Sequence, residues 1–426
     1  MSGRPLLVVG FTWSSVAALG GFRDDRSVVV VEHPAVIARR GLRGAPGRAA
    51  VLREVVAWDH RTAAAADAFA DARPDLRPAA VAAVSDDGAP FAARLAERLA
   101  LPGAGVAAAL LLRDKALLRR VTGAADVPQP EWEEVTSAAR LRAFMTAHPG
   151  PVVLKPVFGQ GSVGARVLRS PDGSEAAFAE CVAEYTAACD AGPEPVRMLA
   201  ERCLRGPEYS VELLVADGRT LFANVTAKEL FPGTRPVERG HLVPAAVAPD
   251  LAALLRERTE RVVRAIGFGT GAVHAEWIVE AGSPHLVECA GRLPGDEIPE
   301  LIDWAYDVEL FRGLWTLLAG DPLPRPPRTT ARRASAIRFL HTGPGVVERV
   351  GGLAAALAVP HVVACRFLTG PGRRVGPLRS SLDRVAYALT CAPTGEEAVS
   401  RAEEALARLT VTTRPETTTA PGEENR

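Results

Sequence analysis

Of the 50 basic residues counted as lysine or arginine in this chain, only three are lysines. They are Lys115 in Arg113-Asp114-Lys115, Lys155 in Val153-Leu154-Lys155-Pro156, and Lys228 in Thr226-Ala227-Lys228-Glu229. A lysine ammonium is a compact point charge that meets a phosphate oxygen end-on, whereas the planar guanidinium needs a wider, fork-shaped site. Just after Lys155 comes Phe158-Gly159-Gln160-Gly161-Ser162-Val163-Gly164-Ala165, whose glycines let backbone amides approach an anion unobstructed. Carboxylates recur downstream as His274-Ala275-Glu276 and, twelve residues past Glu276, as Glu288-Cys289-Ala290-Gly291-Arg292. That spacing suits adjacent antiparallel strands with both carboxylates on one face. Magnesium would relieve their repulsion while bridging phosphate oxygens. Two exposed glutamates on a hairpin are the plainer alternative.

These residues need elements to position them. Apolar runs at 6–10, 27–31 and 81–85, the last followed by an amphipathic helix over 91–101, give a βαβ pattern and predict a small doubly wound sheet. Gly10-Phe11-Thr12-Trp13-Ser14-Ser15 after the first strand lacks the Gly-x-Gly-x-x-Gly of a dinucleotide site. A helix is expected over 110–122, ended by Pro128-Gln129-Pro130. Strands are expected at 151–155 and 166–168 on either side of the glycines. The glycine loop therefore joins two strands. A Walker loop leads from strand to helix and carries Gly-Lys-Ser/Thr, which is absent. Strands at 198–201, 209–215 and 221–226, a helix over 251–266, and strands at 273–279 and 285–289 follow. Pro324-Arg325-Pro326-Pro327-Arg328-Thr329 reads as a linker.

Composition narrows the class. A chain of 426 residues, 48% hydrophobic and 23% charged, suggests two to three globular domains. Zero net charge argues against nucleic-acid or anionic-membrane partners. No apolar stretch reaches the roughly 18 residues of a membrane span, and the first apolar run is too short for a signal peptide. The six cysteines are scattered, without Cys-x-x-Cys, and are expected to be reduced and free of structural zinc. A cytoplasmic location is expected.

Asp114-Lys115, Lys155-Pro156 with 159–164, Gly206-Pro207-Glu208-Tyr209-Ser210-Val211-Glu212, and 288–296 stand in an order that resembles the ATP-grasp superfamily. The resemblance is to its carboxylate–amine ligases of the amino-acid ligase type, and it covers most of the chain. It implies an α/β fold, α+β in the ATP-binding lobes, that clamps ATP. A doubly wound N-terminal domain is expected at 1–108, a small lid at 109–197, a large subdomain at 198–323, a C-terminal α/β lobe at 330–411 and a disordered tail at 412–426.

The resemblance also implies roles. Lys115, Lys155, Gly159, Gly161, Ser162 and Gly164 would hold the ATP phosphates. Glu201 with Cys203 and Leu204 would read adenine, and Glu208 would accept ribose hydroxyls. Glu276 and Glu288 would bind magnesium or manganese, and Arg292 would steady an acyl-phosphate beside Gly295 and Asp296. Lys228 matches the γ-phosphate lysine of D-alanine ligases. His274 stands where those enzymes have an oxyanion-binding arginine, with a packed core histidine equally open. Residues 236–244 resemble Glu-x-Gly-His-x-x-Pro, putting Glu238 and His241 in a substrate pocket, although Glu238 alone could equally cap a turn. One position departs: relatives usually carry Asn two residues after the second carboxylate, where this chain has Ala290.

The implied activity joins a carboxylate to an amine through an acyl-phosphate, releasing ADP and phosphate. Amino acids or short peptides would be the partners, and a homo-oligomer stays open. The alternatives are another ATP-grasp chemistry, such as a bicarbonate-using carboxylase, or a nucleotide-binding sensor without catalysis. No biotin-attachment Met-Lys-Met occurs in the chain.

Overall fold

A computed structural model describes residues 3–189 and 195–415. The N-terminal strands Leu6–Val9, Val28–Glu32 and Ala80–Ala83 pair in parallel, with Leu52–Ala57 added at the edge. Their runs of Val and Leu are buried on both faces, because helices cover both sides of a parallel sheet.

The helix expected over 110–122 is two helices, Val106–Arg113 and Lys115–Ala124. Asp114 breaks it. Its backbone is extended and its carboxylate accepts the Leu117 amide at 2.9 Å, an N-cap that outweighs the continuous apolar pattern. The break places Lys115 at the first position of the second helix.

A four-stranded antiparallel sheet follows, in the order Trp132–Val135, Met198–Arg202, Val152–Pro156, Arg166–Leu168, so the glycine loop does connect two strands. The larger sheet has eight antiparallel strands: Ser283–Ala290, Gly271–Glu280, Glu208–Ala216, Arg219–Leu230, Glu238–Val243, Ala334–Leu340, Ala386–Ala392, Val362–Phe367. It runs unbroken across the expected linker, because Glu238–Val243 pairs with Ala334–Leu340. The C-terminal lobe is thus a continuation of the sheet. Helix Pro249–Ala265 buries Leu255, Thr259, Val262 and Val263, one helical face. Over it lies Trp277, fully buried, with its indole N–H donated to Thr259 at 3.0 Å.

The expected tail overlaps a strand, Thr410–Arg414, which pairs with Gly345–Gly351; residues 416–426 lie outside those described. Among the described residues no helix is long and apolar enough to cross a membrane, and Cys181, Cys203, Cys289, Cys365 and Cys391 are free thiols.

Candidate active site

The hairpin of Gly271–Glu280 and Ser283–Ala290 sets Glu276 directly opposite Glu288 and His274 directly opposite Ala290. Residues two apart on a strand share a face, so these four side chains form one patch. Cations surround it. Lys115 Nζ lies 3.1 Å from Glu288 and donates to the Gly159 carbonyl at 2.8 Å. Lys228 Nζ lies 2.7 Å from Glu276, 2.8 Å from Glu208 and 3.5 Å from Glu238. His274 is held from both sides, Nδ1 at 3.0 Å from Glu212 and Nε2 at 3.2 Å from Glu276. Burial opposes its protonation, but hydrogen bonds to those two carboxylates outweigh that and lift its pKa to about 9, making it an imidazolium at neutral pH.

Among the described residues no three of His, Cys, Asp and Glu form a complete metal shell. Two register-paired carboxylates with lysines as counter-charges still fit magnesium, which takes one or two carboxylates and leaves its other positions to phosphate oxygens and water.

Lys155 and Glu201 meet in a buried cluster. Lys155 Nζ is 2.7 Å from Glu201, and Arg119 donates to Glu201 at 3.0 Å and to the Val287 carbonyl at 2.7 Å. Lys155 also reaches Val287 at 3.3 Å, next to Glu288. The Glu201 carboxylate is therefore occupied by cations. Glu208, expected at the ribose, lies 2.8 Å from the Lys228 ammonium. Two residues earlier, Gly206 sits at φ +150°, where a Cβ would lie 2.0 Å from the Val279 carbonyl.

Gly159, Gly161 and Gly164 take φ of +117°, +66° and +69°, with Ser162 between them at +60°. A side chain at 164 would meet the Cys181 carbonyl at 2.8 Å, so this turn packs too closely on the following helix for any residue but glycine. Ser162 Oγ donates to the Pro236 carbonyl at 2.6 Å, and Arg292 donates to Gln160 at 2.9 Å. Arg292 is itself gripped by Asp86, at 2.7 and 2.9 Å. Burial alone would raise the Asp86 pKa, but the Arg292 charge keeps it below the usual carboxylate range.

Under this loop is a cavity of about 610 Å³. Lys228, His274, Glu276, Glu288 and Arg292 face it, as do the expected substrate residues Glu238, His241 and Gly295 and the loop residues Gly161 and Ser162. Ala290 is in the same wall. Lys115, Lys155, Gly159, Gly164, Glu201, Cys203, Leu204 and Glu208 do not line it. Lys115 connects to it through Glu288, Lys155 through the backbone beside Glu288, and Glu208 through Lys228.

Sequence reading gave no role to Arg119, Glu212, Ser381 and Arg384, and named Asp86 only within 85–88, a stretch expected with 11–15 to shape the specificity of the pocket. Arg119 follows Lys115 by one helical turn and was legible as its neighbour on one face. The C-terminal pair carries no local signal, and nothing local pairs Asp86 with Arg292. Asp296 shows why: with φ +59°, it is held by Arg384 at 2.8 and 2.5 Å and by His241 at 2.9 Å.

Residues 148–300 match the ATP-grasp domain family, and residues 338–414 match the L-amino acid ligase C-terminal domain 2 family. Alanine–anticapsin ligase of Bacillus subtilis is 27% identical over 244 residues, covering 53% of this chain and 51% of that protein. D-alanine–D-alanine ligase of Gloeobacter violaceus is 30% identical over 227 residues, covering 47% of this chain and 66% of that protein. The matched part of the chain thus spans about half to two thirds of these relatives. The crystal structure of an L-amino acid ligase from Bacillus licheniformis shares the fold, with TM-score 0.77 and 18% identity over 96% of this chain and 99% of that one.

Proposed function

We propose that this chain, which carries an ATP-grasp domain followed by an L-amino acid ligase C-terminal domain, is an ATP-dependent carboxylate–amine ligase acting on amino acids or short peptides. The observation that carries this reading is the single cavity in which Glu276, Glu288, Arg292, Lys228 and His274 meet Glu238 and His241 beneath the glycine loop.

Lys115 and Lys155 bind the phosphates of ATP, and Glu276 and Glu288 would hold magnesium or manganese. Bound there, the ion would neutralise charge on the β- and γ-phosphates. The carboxylate of one substrate attacks the γ-phosphorus, and ADP leaves. Lys228 and Arg292 draw off the charge that develops on the transferred group. The amine of the second substrate then attacks the acyl carbon, the His274 imidazolium faces the tetrahedral oxyanion, and phosphate departs as the amide forms. Glu238 and His241 orient substrate, and the closed loop excludes water that would hydrolyse the acyl-phosphate. Opposite His274 and beside Glu288, Ala290 leaves room at the position where the family resemblance would place an Asn.

The test is phosphate release from ATP against pairs of amino acids and short peptides, with mass spectrometry of the products. Release coupled to a condensed product is expected. Release stimulated by bicarbonate alone would move the chain to the carboxylases, and nucleotide binding without turnover in any pair would make it a sensor.

Ala290→Asn is expected to be tolerated, with its amide oxygen adding a metal ligand. The magnesium concentration for half-maximal phosphate release should then fall, by about tenfold or more if the new ligand is worth about one hydrogen bond to a charged group. An unchanged magnesium titration would show that position 290 does not face the metal.

A further inference from the structure

We propose that Ser381, in the C-terminal lobe, is a positioning residue that fastens the glycine loop to the substrate site and so keeps water from the acyl-phosphate; this rests on the ligase reading above. Ser381 makes two bonds in two directions. Its backbone N–H donates to the Gly161 carbonyl at 3.3 Å, and its hydroxyl donates to Glu238 Oε2 at 2.8 Å. The other Glu238 oxygen lies 3.5 Å from Lys228. A bonded chain therefore runs from the ATP loop through Ser381 to the substrate carboxylate and on to the lysine of the metal cluster, joining three separate parts of the fold.

The turn that presents Ser381 is stiff. Asp383 accepts the Ser380 amide at 2.8 Å, and the Ser380 hydroxyl accepts the Leu382 amide at 3.3 Å. Arg384 donates to the Ser381 carbonyl at 2.9 Å, grips Asp296, and lies 3.6 Å above the Phe339 ring. Leu382, 80% exposed, stands at the cavity rim. A tooth braced in this way does not follow the loop; the loop must come to it. The other contacts that close the loop, Ser162 to Pro236 and Gln160 to Arg292, lie on either side of Gly161. Ser381 is thus the contribution of the C-terminal lobe to a three-point closure.

Two variants separate its two bonds. Ser381→Ala removes the hydroxyl and keeps the N–H. Ser381→Pro removes both, at a position that tolerates proline because Ser381 opens a 3-10 turn after extended Ser380 (φ −151°, ψ 172°). In the protein without nucleotide, hydrogen exchange over residues 161–165 is expected to be faster in Ser381→Pro than in Ser381→Ala. The factor should be about fivefold, as for one neutral hydrogen bond.

With magnesium ATP and the twenty proteinogenic amino acids together, phosphate released per peptide formed should rise from wild type to Ser381→Ala to Ser381→Pro. A purely structural role would lower both outputs and leave their ratio unchanged. Unchanged loop exchange in both variants, or faster exchange with the wild-type ratio, would overturn the proposal. A wild type that formed no peptide would instead overturn the ligase reading, and the exchange comparison would decide the loop contact on its own.

Discussion

Replacing Glu288 by glutamine is expected to lower turnover by about a thousandfold while leaving the fold intact, the loss seen when a preorganised electrostatic group or metal ligand is removed from a phosphoryl-transfer site. Glu288 pairs in register with Glu276 and is the carboxylate nearest Lys115, so it stands where the phosphates and the metal would meet. Glutamine keeps its shape and an acceptor oxygen but loses the charge. Stability should change by about 1 kcal/mol or less, because Glu288 is partly exposed and Lys115 retains the Gly159 carbonyl as a partner. Phosphate release at saturating magnesium, alongside thermal unfolding, checks both parts. A Glu288→Gln enzyme with most of its activity would mean that the metal is held elsewhere.

Lys228→Met is expected to act on fold and activity together. The ammonium is buried among Glu208, Glu238 and Glu276. Burial opposes its charge, but the carboxylates hold its pKa well above the usual lysine range. Removing one member of a buried ion cluster leaves uncompensated charge, at a cost of about 3–5 kcal/mol. The pH dependence has a definite sign. Burial already pushes the Glu208 carboxyl up, and without Lys228 the native carboxylates would bind protons more readily than the unfolded chain. A native state that binds more protons gains stability as pH falls, so the deficit relative to wild type should shrink on going from neutral to mildly acidic conditions. Denaturant unfolding of both proteins across that range checks the slope. A deficit independent of pH would mean that Lys228 contributes packing and not charge compensation.

What was legible in the sequence was local. The spacing of Glu276 and Glu288 put them on neighbouring strands of one hairpin, but it is a β-bulge between Glu276 and Trp277, leaving Val287 unpaired, that brings them opposite each other; the glycines between two apolar runs marked a strand–loop–strand unit. The ordered motifs carried the remaining expectations for the site. The missed contacts act across the chain: Asp86 on Arg292 over 206 positions, Ser381 on Glu238 over 143, Arg119 on Glu201 over 82. No periodicity encodes such pairs, which exist only once the sheet brings the lobes together. The break at Asp114 was missed because the apolar pattern continues through it while a single N-cap ends the helix. The sheet running past Pro324–Thr329 was missed because a proline-rich connection resembles a domain linker whether or not the strands beyond it rejoin the same sheet. Glu201 and Glu208 were assigned to nucleotide groups by position alone, while their carboxylates lie against Lys155 and Lys228.

The central claim is that a substrate carboxylate attacks the γ-phosphorus of ATP. Turnover with magnesium ATP and amino acids carrying oxygen-18 in their carboxyl groups tests it most directly. The account requires one labelled oxygen in the phosphate released for each peptide formed, with ADP as the nucleotide product. Unlabelled phosphate, or label recovered in AMP with release of pyrophosphate, would contradict it.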